Sequence, residues 1–366
     1  MTQEWLNRIA LAWELRYRIK YAHSLFEQYS SATEIISHHP TLLSAEAIRN
    51  AEQEATFIQQ HNIEMAFFKD ANYPYRLAQC IDAPIMLYSK GALNMNPKHA
   101  VSIVGTRTPS ERGKEWCRKF ILDLAAQLPE LTIISGLAYG IDVEAHKAAI
   151  EAGIPTIIVP AHGLDRIYPS IHRNIAVQSL HNGGILTEYI HGTEPEKHHF
   201  VARNRIIAGL ADAVVIVESK AKGGSLITAR MAQDYSREVF TLPGRYNDCT
   251  SEGCNCLIQQ QRAQLITSAD DLLFFMQWEN AKIINKQPTI EIPFDLNATQ
   301  AILLNKLRES EDGWHVNQLV LETHLPYQEV ASELMMMELS GFVKGLPGGM
   351  WRALENPNPP FDLYKQ

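Results

Sequence analysis

The sequence predicts an α/β protein built on a mostly parallel β-sheet that helices cover on both faces. From about residue 100 onward, short apolar segments rich in β-branched residues alternate with helical ones. Nearly continuous apolar strands are typical of parallel sheets that are buried on both faces. The helical segment KEWCRKFILDLAAQL places Trp116, Phe120 and Leu124 on one stripe, which suits packing against such a sheet. The predicted strands are AVSIVG, LTIISG, PTIIVP, GGILTE, AVVIVE and EVFTLP.

The flanks of this central region have different patterns. The first 70 residues are expected to be helical, with Ser31 and Glu34 forming a capping pair in SATEII. Near the C-terminus, three short helical segments precede FVKGLPGGMWRAL, which predicts a hairpin and therefore a winged-helix arrangement. We expect an N-terminal helical domain at 1–70, the sheet domain at 71–275, a linker at 276–295, the winged helix at 296–354 and a tail at 355–366.

Composition limits the classes of function. The 366 residues carry a net charge of −8, so a site for a polyanion must be a local patch. No signal peptide or apolar run long enough for a membrane span is visible, and we expect a cytoplasmic protein without a membrane partner. The five cysteines are odd in number and scattered, and CTSEGCNC lacks metal-ligand spacing. We predict no metal, no cofactor and no catalytic residue.

Three glycine-rich turns each follow a predicted strand and precede a helix. They are IVGTRTPSERG, IISGLAYGID and VESKAKGGSLITAR. Glycine lets backbone N–H groups approach an anion, and a helix N-terminus adds positive charge. Neither the dinucleotide fingerprint nor the Walker phosphate loop occurs in them. Because ligands bind at the carboxyl ends of parallel strands, we expect an anion site there. Its candidate residues are Gly105, Thr106, Ser135, Gly136, Gly224, Ser225 and Thr228.

Arg107 and the segment KHHFVARNR, residues 197–205, indicate which anion binds there. The segment is expected to be a loop at the same edge of the sheet. Its cations Lys197, Arg203 and Arg205 can neutralise phosphates, and the fork of donors on Arg107 suits a further phosphate. Phe200 can stack on an unpaired base. This combination favours single-stranded nucleic acid over a duplex, whose bases are already stacked.

Asn204, in the same segment, can bond to a base edge or hold the loop. Each of these assignments has a structural alternative. Phe200 can belong to the core, the segment's arginines can pair with Glu188 or Glu218, and Arg107 can form a salt bridge. The sequence leaves these alternatives open.

Several motifs resemble those of the DNA-processing family known as DprA or Smf. They are IVGTR, SGLAYGID followed by AH, GLDRIYP, FVARNRIIAGL, GGSLITA and PGRYN with GCNCLI, in order over about residues 72–275. The resemblance implies a Rossmann-like, doubly wound fold. An N-terminal domain of the SAM or helix-hairpin-helix type and a C-terminal winged helix would flank it.

The same resemblance implies a function. Family members bind single-stranded DNA without sequence preference during natural transformation, and load the RecA recombinase while displacing single-strand binding protein. They dimerise through the Rossmann-like domain. Their DNA-gripping residues correspond to Arg107, Lys197, Phe200 and the arginines of RNR, with phosphate-cradling positions at Gly105, Gly136, Gly224 and Ser225.

The chain departs from the family pattern at three places. One is GRYNDCTSEGCNC, which is longer and richer in cysteine than the family pattern and for which the sequence offers no account. Tyr139 stands where a long polar residue is usual, which changes the rim of the site. The hairpin glycines of the N-terminal DNA-binding motif are missing, so the sequence assigns no DNA binding to that domain.

Parts of the sequence are also compatible with two other classes of protein. A nucleotide-cleaving enzyme of the phosphoribohydrolase type needs a glutamate shortly after its glycine turn, but GGSLITARMAQ has no acid before Asp234. Glu188, Glu218 and Asp142 remain as candidate acids. A transcription factor would use the winged helix, but its presumed recognition helix, residues 326–339, carries only acidic charges and would be repelled by DNA.

Overall fold

The computed structural model describes residues 1–278, 296–310, 313–346 and 348–354. The chain divides into two compact units, Met1–Lys286 and Gln287–Gln366. The expected linker at 276–295 lies outside the described residues except for its first three, and the expected tail at 355–366 lies wholly outside them. Within the described ranges, no helix is long and apolar enough to cross a membrane.

The first unit begins with a group of four helices. Their core residues, such as Leu11 and Phe26, pack with Met86 and Tyr88 of the sheet. Ser31 caps the third helix by accepting a hydrogen bond from the backbone N–H of Glu34. The four helices are α1 Gln3–Glu14, α2 Ile19–Gln28, α3 Ala32–His38 and α4 Ala45–His61.

Over the part of the first unit that the structure describes, residues 1–278, a nine-stranded sheet forms the centre. Its strands are β1 Glu64–Phe67, β2 Met86–Gly91, β3 His99–Val104, β4 Leu131–Ser135, β5 Thr156–Ile158, β6 Gly183–Thr187, β7 Ala213–Ile216, β8 Glu238–Thr241 and β9 Gln264–Leu265. The spatial order is β1-β2-β6-β5-β4-β3-β7-β8-β9. The seven strands from β3 to β9 are parallel, and β1 and β2 extend the sheet in antiparallel pairing beyond β6.

Helices cover both faces of the sheet. They are α5 Tyr75–Ala78, α6 Glu111–Gln127, α7 Ile141–Glu151, α8 Arg173–Ser179, α9 Lys197–Leu210, α10 Ser225–Asp234, α11 Glu252–Gln259 and α12 Ala269–Met276, with a 3-10 turn at Ser170–His172. One core layer joins α9 and α10 to the sheet, and the opposite layer contains Phe120, Ile121 and Leu124 of α6. The predicted doubly wound, mostly parallel fold is therefore confirmed, with all six predicted parallel strands in place.

The prediction of helices alone over residues 1–70 is wrong at its end. Residues 64–67 form β1, which pairs with β2 from Glu64 opposite Ser89 to Phe67 opposite Met86. The antiparallel strand β2 offers a free edge, and β1 satisfies its backbone groups. The conformation of this segment therefore depends on pairing with a strand elsewhere in the chain. Local helix propensity does not predict such pairing.

The second unit has the expected winged-helix elements. Three helices, α13 Ala298–Leu307, α14 Val316–Thr323 and α15 Tyr327–Leu339, surround a core of leucines with Val330 and Met337. Strands β11 Val343–Leu346 and β12 Met350–Ala353 form the hairpin, and β10 Trp314–His315 pairs with β12. The predicted hairpin is confirmed, although Pro347 of its turn lies outside the described residues.

Candidate nucleic-acid interface

The three glycine-rich turns lie at one edge of the sheet because they follow neighbouring parallel strands. β3 lies between β4 and β7, and the turns begin at the carboxyl ends of these three strands. The chain also reverses its direction of winding here, since β4 to β6 lie on one side of β3 and β7 to β9 on the other. Doubly wound sheets bind ligands at such a switch point.

The turn after β3 is held by backbone hydrogen bonds. The N–H of Thr106 donates to the carbonyl of Glu218 at 2.8 Å, and the carbonyl of Thr106 accepts from Ile141 at 3.2 Å. Gly140, at φ +83°, lies so close that a Cβ there would meet the Thr106 carbonyl and the Arg107 backbone. This packing leaves the Arg107 side chain exposed at the rim.

The segment KHHFVARNR forms the first part of the helix α9, so the expectation of a loop is wrong. The helix begins at Lys197 after Glu196 and continues into the buried residues Ile206 to Leu210. Packing of this apolar end against the sheet extends the helix back through the charged residues. As a result, one face of the segment is buried and the other is open to solvent.

Arg107 and Phe200 are brought together across the rim. The guanidinium carbon of Arg107 lies over the Phe200 ring, 5.3 Å from its centroid. Phe200 is half-buried and Asn204, one turn later, is partly exposed. Lys197 lies one turn before Phe200 and is exposed. Arg107 therefore shares one surface with Lys197 and Phe200 of α9, although it is distant from them in the chain.

Arg203 occupies the buried face of α9, so its predicted contact with phosphate is corrected. It is 3% exposed, and its Nη1 donates to the carbonyls of Gly136, at 2.8 Å, and Val159. Burial lowers the pKa of Arg203 to about 10, while the nearby carboxylate of Asp142 opposes the shift. Arg203 therefore remains charged at neutral pH and holds the turn after β4 from below.

Arg205 also has a structural role. The sequence left open whether it contacts phosphate or pairs with Glu188, and the structure shows the ion pair with Glu188. It is 6% exposed and donates to the Glu188 carboxylate and to the carbonyl of Asp82. Burial raises the pKa of Glu188, and the charge of Arg205 counteracts this shift. A strand outside the protein cannot reach this guanidinium.

The predicted hydroxyl donors of the other turns also point inward. Ser135 is fully buried and donates to the carbonyl of Ile103 at 2.6 Å, and Ser225 donates to the hydroxyl of Ser219 at 2.8 Å. Thr228 is buried on α10. These side chains stabilise the turns, and the expectation that they meet an anion is corrected for this conformation. Gly224 is exposed and Gly136 is buried beneath the rim.

Tyr168 was missed by the sequence reasoning. Its ring is 47% exposed and lies 6.0 Å from Phe200 in an edge-to-face arrangement. It comes from GLDRIYP, a segment between β5 and α8 that sequence spacing does not connect with α9. Tyr139, which the sequence flagged, is 50% exposed and contacts His172 with ring centroids 5.1 Å apart. Aromatic surface at the rim is therefore larger than predicted.

The candidate acids for enzymatic cleavage are engaged in the structure. Glu218 accepts hydrogen bonds from the N–H and the hydroxyl of Ser110, at 2.9 and 2.5 Å, and so fixes the start of α6. Burial raises the pKa of Asp142, which faces the charges of Arg203 and Arg107. Over the described part of the chain, no cluster of three metal-ligating side chains occurs.

The fold and this rim define a class of protein: a Rossmann-like α/β domain with cationic and aromatic residues at one edge of its sheet, followed in the chain by a winged-helix domain. Comparison with known families identifies the particular family. A family model described as DNA recombination-mediator protein A matches residues 64–277, and a second, the DprA winged helix domain, matches residues 287–349. The chain belongs to the DNA recombination-mediator protein A family, as the motifs predicted.

Relatives with known names agree with this assignment. Protein Smf from Synechocystis is 35% identical over 323 residues, covering 79% of this chain and 80% of the relative. DNA processing protein DprA from Streptococcus pneumoniae is 43% identical over 204 residues, or 56% of this chain and 71% of the relative.

Two solved structures share the fold. DprA from S. pneumoniae has a TM-score of 0.55 at 37% identity, covering 63% of this chain and 81% of its own. DNA processing protein A from Helicobacter pylori, described for its single-stranded DNA binding mode, has a TM-score of 0.53 at 31% identity, covering 59% of this chain and 95% of its own.

Proposed function

We propose that this protein binds single-stranded DNA without base-sequence preference at the rim formed by Arg107, Lys197 and Phe200. The observation that carries the proposal is the placement of the Arg107 guanidinium over the Phe200 ring, 5.3 Å from its centroid, with exposed Lys197 one turn away. A ring flanked by cations offers a stacking face for a base and charges for the phosphates beside it.

Single strands fit this rim better than duplexes do. A base can stack on Phe200 only when it is free of its own neighbours, which is the condition in a single strand. When a base takes the ring face, the guanidinium of Arg107 moves to the adjoining phosphate, where its fork of donors pairs well. The backbone at Gly105 and Gly224 lies at the same edge and adds N–H donors for the strand, whereas the N–H of Thr106 is taken by the carbonyl of Glu218. The binding mode named for the H. pylori relative supports this choice.

Family membership supports a proposal for the biological role. We propose that the protein protects incoming single strands in the cytoplasm during natural transformation and loads the RecA recombinase onto them, displacing single-strand binding protein. A homodimer formed through the Rossmann-like domain is part of this proposal. The exposed edge strand β9 and the exposed Phe274 on α12 offer surface for such pairing.

The candidate carboxylates are held by other residues, which favours binding over catalysis as the activity of the protein. A phosphoribohydrolase-like reaction needs an acid free to act at the reacting centre. Glu218 is held by Ser110 and Glu188 by Arg205. Asp142 is buried beside Arg203. The rim itself presents cations and rings, so we propose that the protein is not an enzyme.

The test compares Arg107→Ala, Lys197→Ala and Phe200→Ala with the unmodified protein by fluorescence anisotropy on oligothymidine over a range of salt. Each cation removed should make the slope of log affinity against log salt shallower by about 0.7, whereas Phe200→Ala should weaken binding at nearly unchanged slope. Lys98→Ala is the matched control, because exposed Lys98 precedes β3 at the opposite edge of the sheet. Duplex DNA and AMP serve as competitors. Unchanged affinity in all three variants would refute the site.

A further inference from the structure

A basic and aromatic segment on the N-terminal helices lies beside the proposed site. Residues 16–21, RYRIKY, join the end of α1 to the first turn of α2 and alternate cations with rings. Tyr17 is 68% exposed and Tyr21 is 42% exposed. Arg18 and Lys20 are exposed as well. Such interleaving of charge and aromatic surface is the pattern that binds single strands elsewhere.

The rings and cations of this segment are already paired with one another. The guanidinium of Arg16 lies 3.9 Å from the ring centroid of Trp13 and 4.7 Å from that of Tyr17. The guanidinium of Arg18 lies 5.6 Å from the ring of Tyr21. Arg107 and Phe200 are arranged in the same way. In both cases the cation lies over the face of the ring, where a base can stack.

The neighbouring carboxylate does not cancel the charge of the segment. Glu14 precedes the three cations Arg16, Arg18 and Lys20. It accepts hydrogen bonds from the N–H and the hydroxyl of Ser44, at 3.0 and 2.5 Å, which fix it at the start of α4. Glu14 stays ionised, but three cations against this one carboxylate leave residues 14–21 positive, although the chain as a whole is negative.

The segment is continuous with the proposed site through His198. The Tyr17 hydroxyl lies 3.5 Å from Nε2 of His198, and their ring centroids are 6.3 Å apart. His198 follows Lys197 on α9. Because successive residues of a helix are about 100° apart, Lys197 lies between Phe200 and His198 around the helix. The path Phe200, Lys197, His198, Tyr17 thus crosses the first turn of α9.

An open cleft lies beside the His198 and Tyr17 end of this path. It has a volume of about 850 Å³ and is lined by Arg16, Tyr17 and His198 among others. The carboxylate of Glu196 stands beside this path, 3.4 Å from Nδ1 of His198. The cleft lining also includes Glu46, Asp82, Glu188 and Glu194, of which Glu188 is paired with Arg205. A polyanion therefore keeps to Arg18 and Lys20, which are exposed and do not line the cleft.

We propose that a single DNA strand that leaves Phe200 continues past Lys197 and His198 onto residues 16–21, which form a second contact surface for the strand. This inference rests on the proposed function, because it extends the same strand beyond the rim. The contact uses the turn between α1 and α2. It does not depend on the hairpin glycines whose absence led the sequence to assign no DNA binding to this domain.

The experiment uses the full chain and oligothymidines of about 5 and about 20 nucleotides, of which only the longer can reach both surfaces. Tyr17→Ala and the double variant Arg18→Ala/Lys20→Ala should leave affinity for the short strand within about twofold of the unmodified protein. Affinity for the long strand should fall about 5- to 30-fold. The double variant should also make the salt slope for the long strand shallower by about 1.4.

Arg49→Ala is the matched control, because Arg49 is exposed on α4 and does not line the cleft. Tyr17→Phe keeps the ring and should keep the long-strand affinity. Photocrosslinking of iodouracil at one end of the long strand should label Tyr17 or Tyr21. Equal affinity of both variants and the unmodified protein for the long strand would overturn the inference while the rim site stands. If short-strand binding survives Arg107→Ala and Phe200→Ala, the proposed rim site itself fails.

Discussion

The Nη1 atom of Arg203 donates a hydrogen bond to the carbonyl oxygen of Gly136 at 2.8 Å, so a buried cation supports the glycine turn from beneath. A Cβ added at Gly136 would collide with this guanidinium. The glycine and the arginine therefore depend on each other. Motifs that look like separate DNA contacts in the sequence form one structural unit, and the exposed residues rest upon it.

Replacing Arg203 should destabilise the protein. Arg203→Met leaves the carbonyls of Gly136 and Val159 without this donor and removes the stronger of the two positive charges that Asp142 faces. We expect the free energy of unfolding to fall by about 2–5 kcal/mol. Urea unfolding measures it, with Arg173→Met, at an exposed position, as the control. If Arg203→Met lowers the free energy of unfolding no more than the control variant does, Arg203 does not stabilise the folded protein.

Arg205 and Glu188 should behave as a coupled pair. Arg205→Met leaves the Glu188 carboxylate buried without its partner, which should cost about 3–5 kcal/mol of unfolding free energy. Adding Glu188→Gln should restore part of that loss, giving a coupling of about 1 kcal/mol or more in a double-mutant cycle. Strict additivity in urea unfolding would contradict the pairing.

His146 should make stability depend on pH. Burial lowers its pKa from 6.5 to about 3, and its Nδ1 lies 2.8 Å from the hydroxyl of Thr156. The folded protein therefore binds this proton less readily than the unfolded chain. The contribution of His146 to the free energy of unfolding is fully present above pH 6.5. It is lost as the pH falls towards 3, at up to about 1.4 kcal/mol per pH unit.

Urea unfolding at a series of pH values checks this prediction. His146→Gln should lower stability at neutral pH and flatten the decline between pH 6.5 and about 3. His181→Gln, at an exposed histidine, should leave the profile of the unmodified protein in place. An unchanged decline in His146→Gln would assign the acid sensitivity to other groups.

The ring of Phe200 should matter through its face rather than its volume. Phe200→Leu keeps an apolar side chain beside Tyr168 but removes the stacking surface, so affinity for oligothymidine should fall by about 1–3 kcal/mol. Phe200→Trp should keep or increase that affinity. Fluorescence anisotropy at fixed salt measures both. Equal binding by the leucine variant would mean that the ring only fills space.

Much of the architecture was readable from local patterns. Apolar runs of four to six residues, separated by helical stretches, placed the six parallel strands, and glycine turns at their carboxyl ends indicated the edge that we propose as the binding site. These features depend on residues near in sequence and on the geometry that parallel strands share. β1 was missed because its conformation depends on pairing with β2, about twenty residues further along the chain.

The sequence by itself determined a doubly wound sheet and the set of cations and rings available at the carboxyl edge of its parallel strands. Only the tertiary structure decided which of them are exposed there. In α9, Lys197 and Phe200 lie at the rim while Arg203 and Arg205 turn towards buried carbonyls and Glu188. The physical reason is that helix phase is set by packing the apolar end of α9 on the sheet. That packing decides whether each cation of the helix lies in solvent or in the core, even though a charged side chain by itself favours solvent.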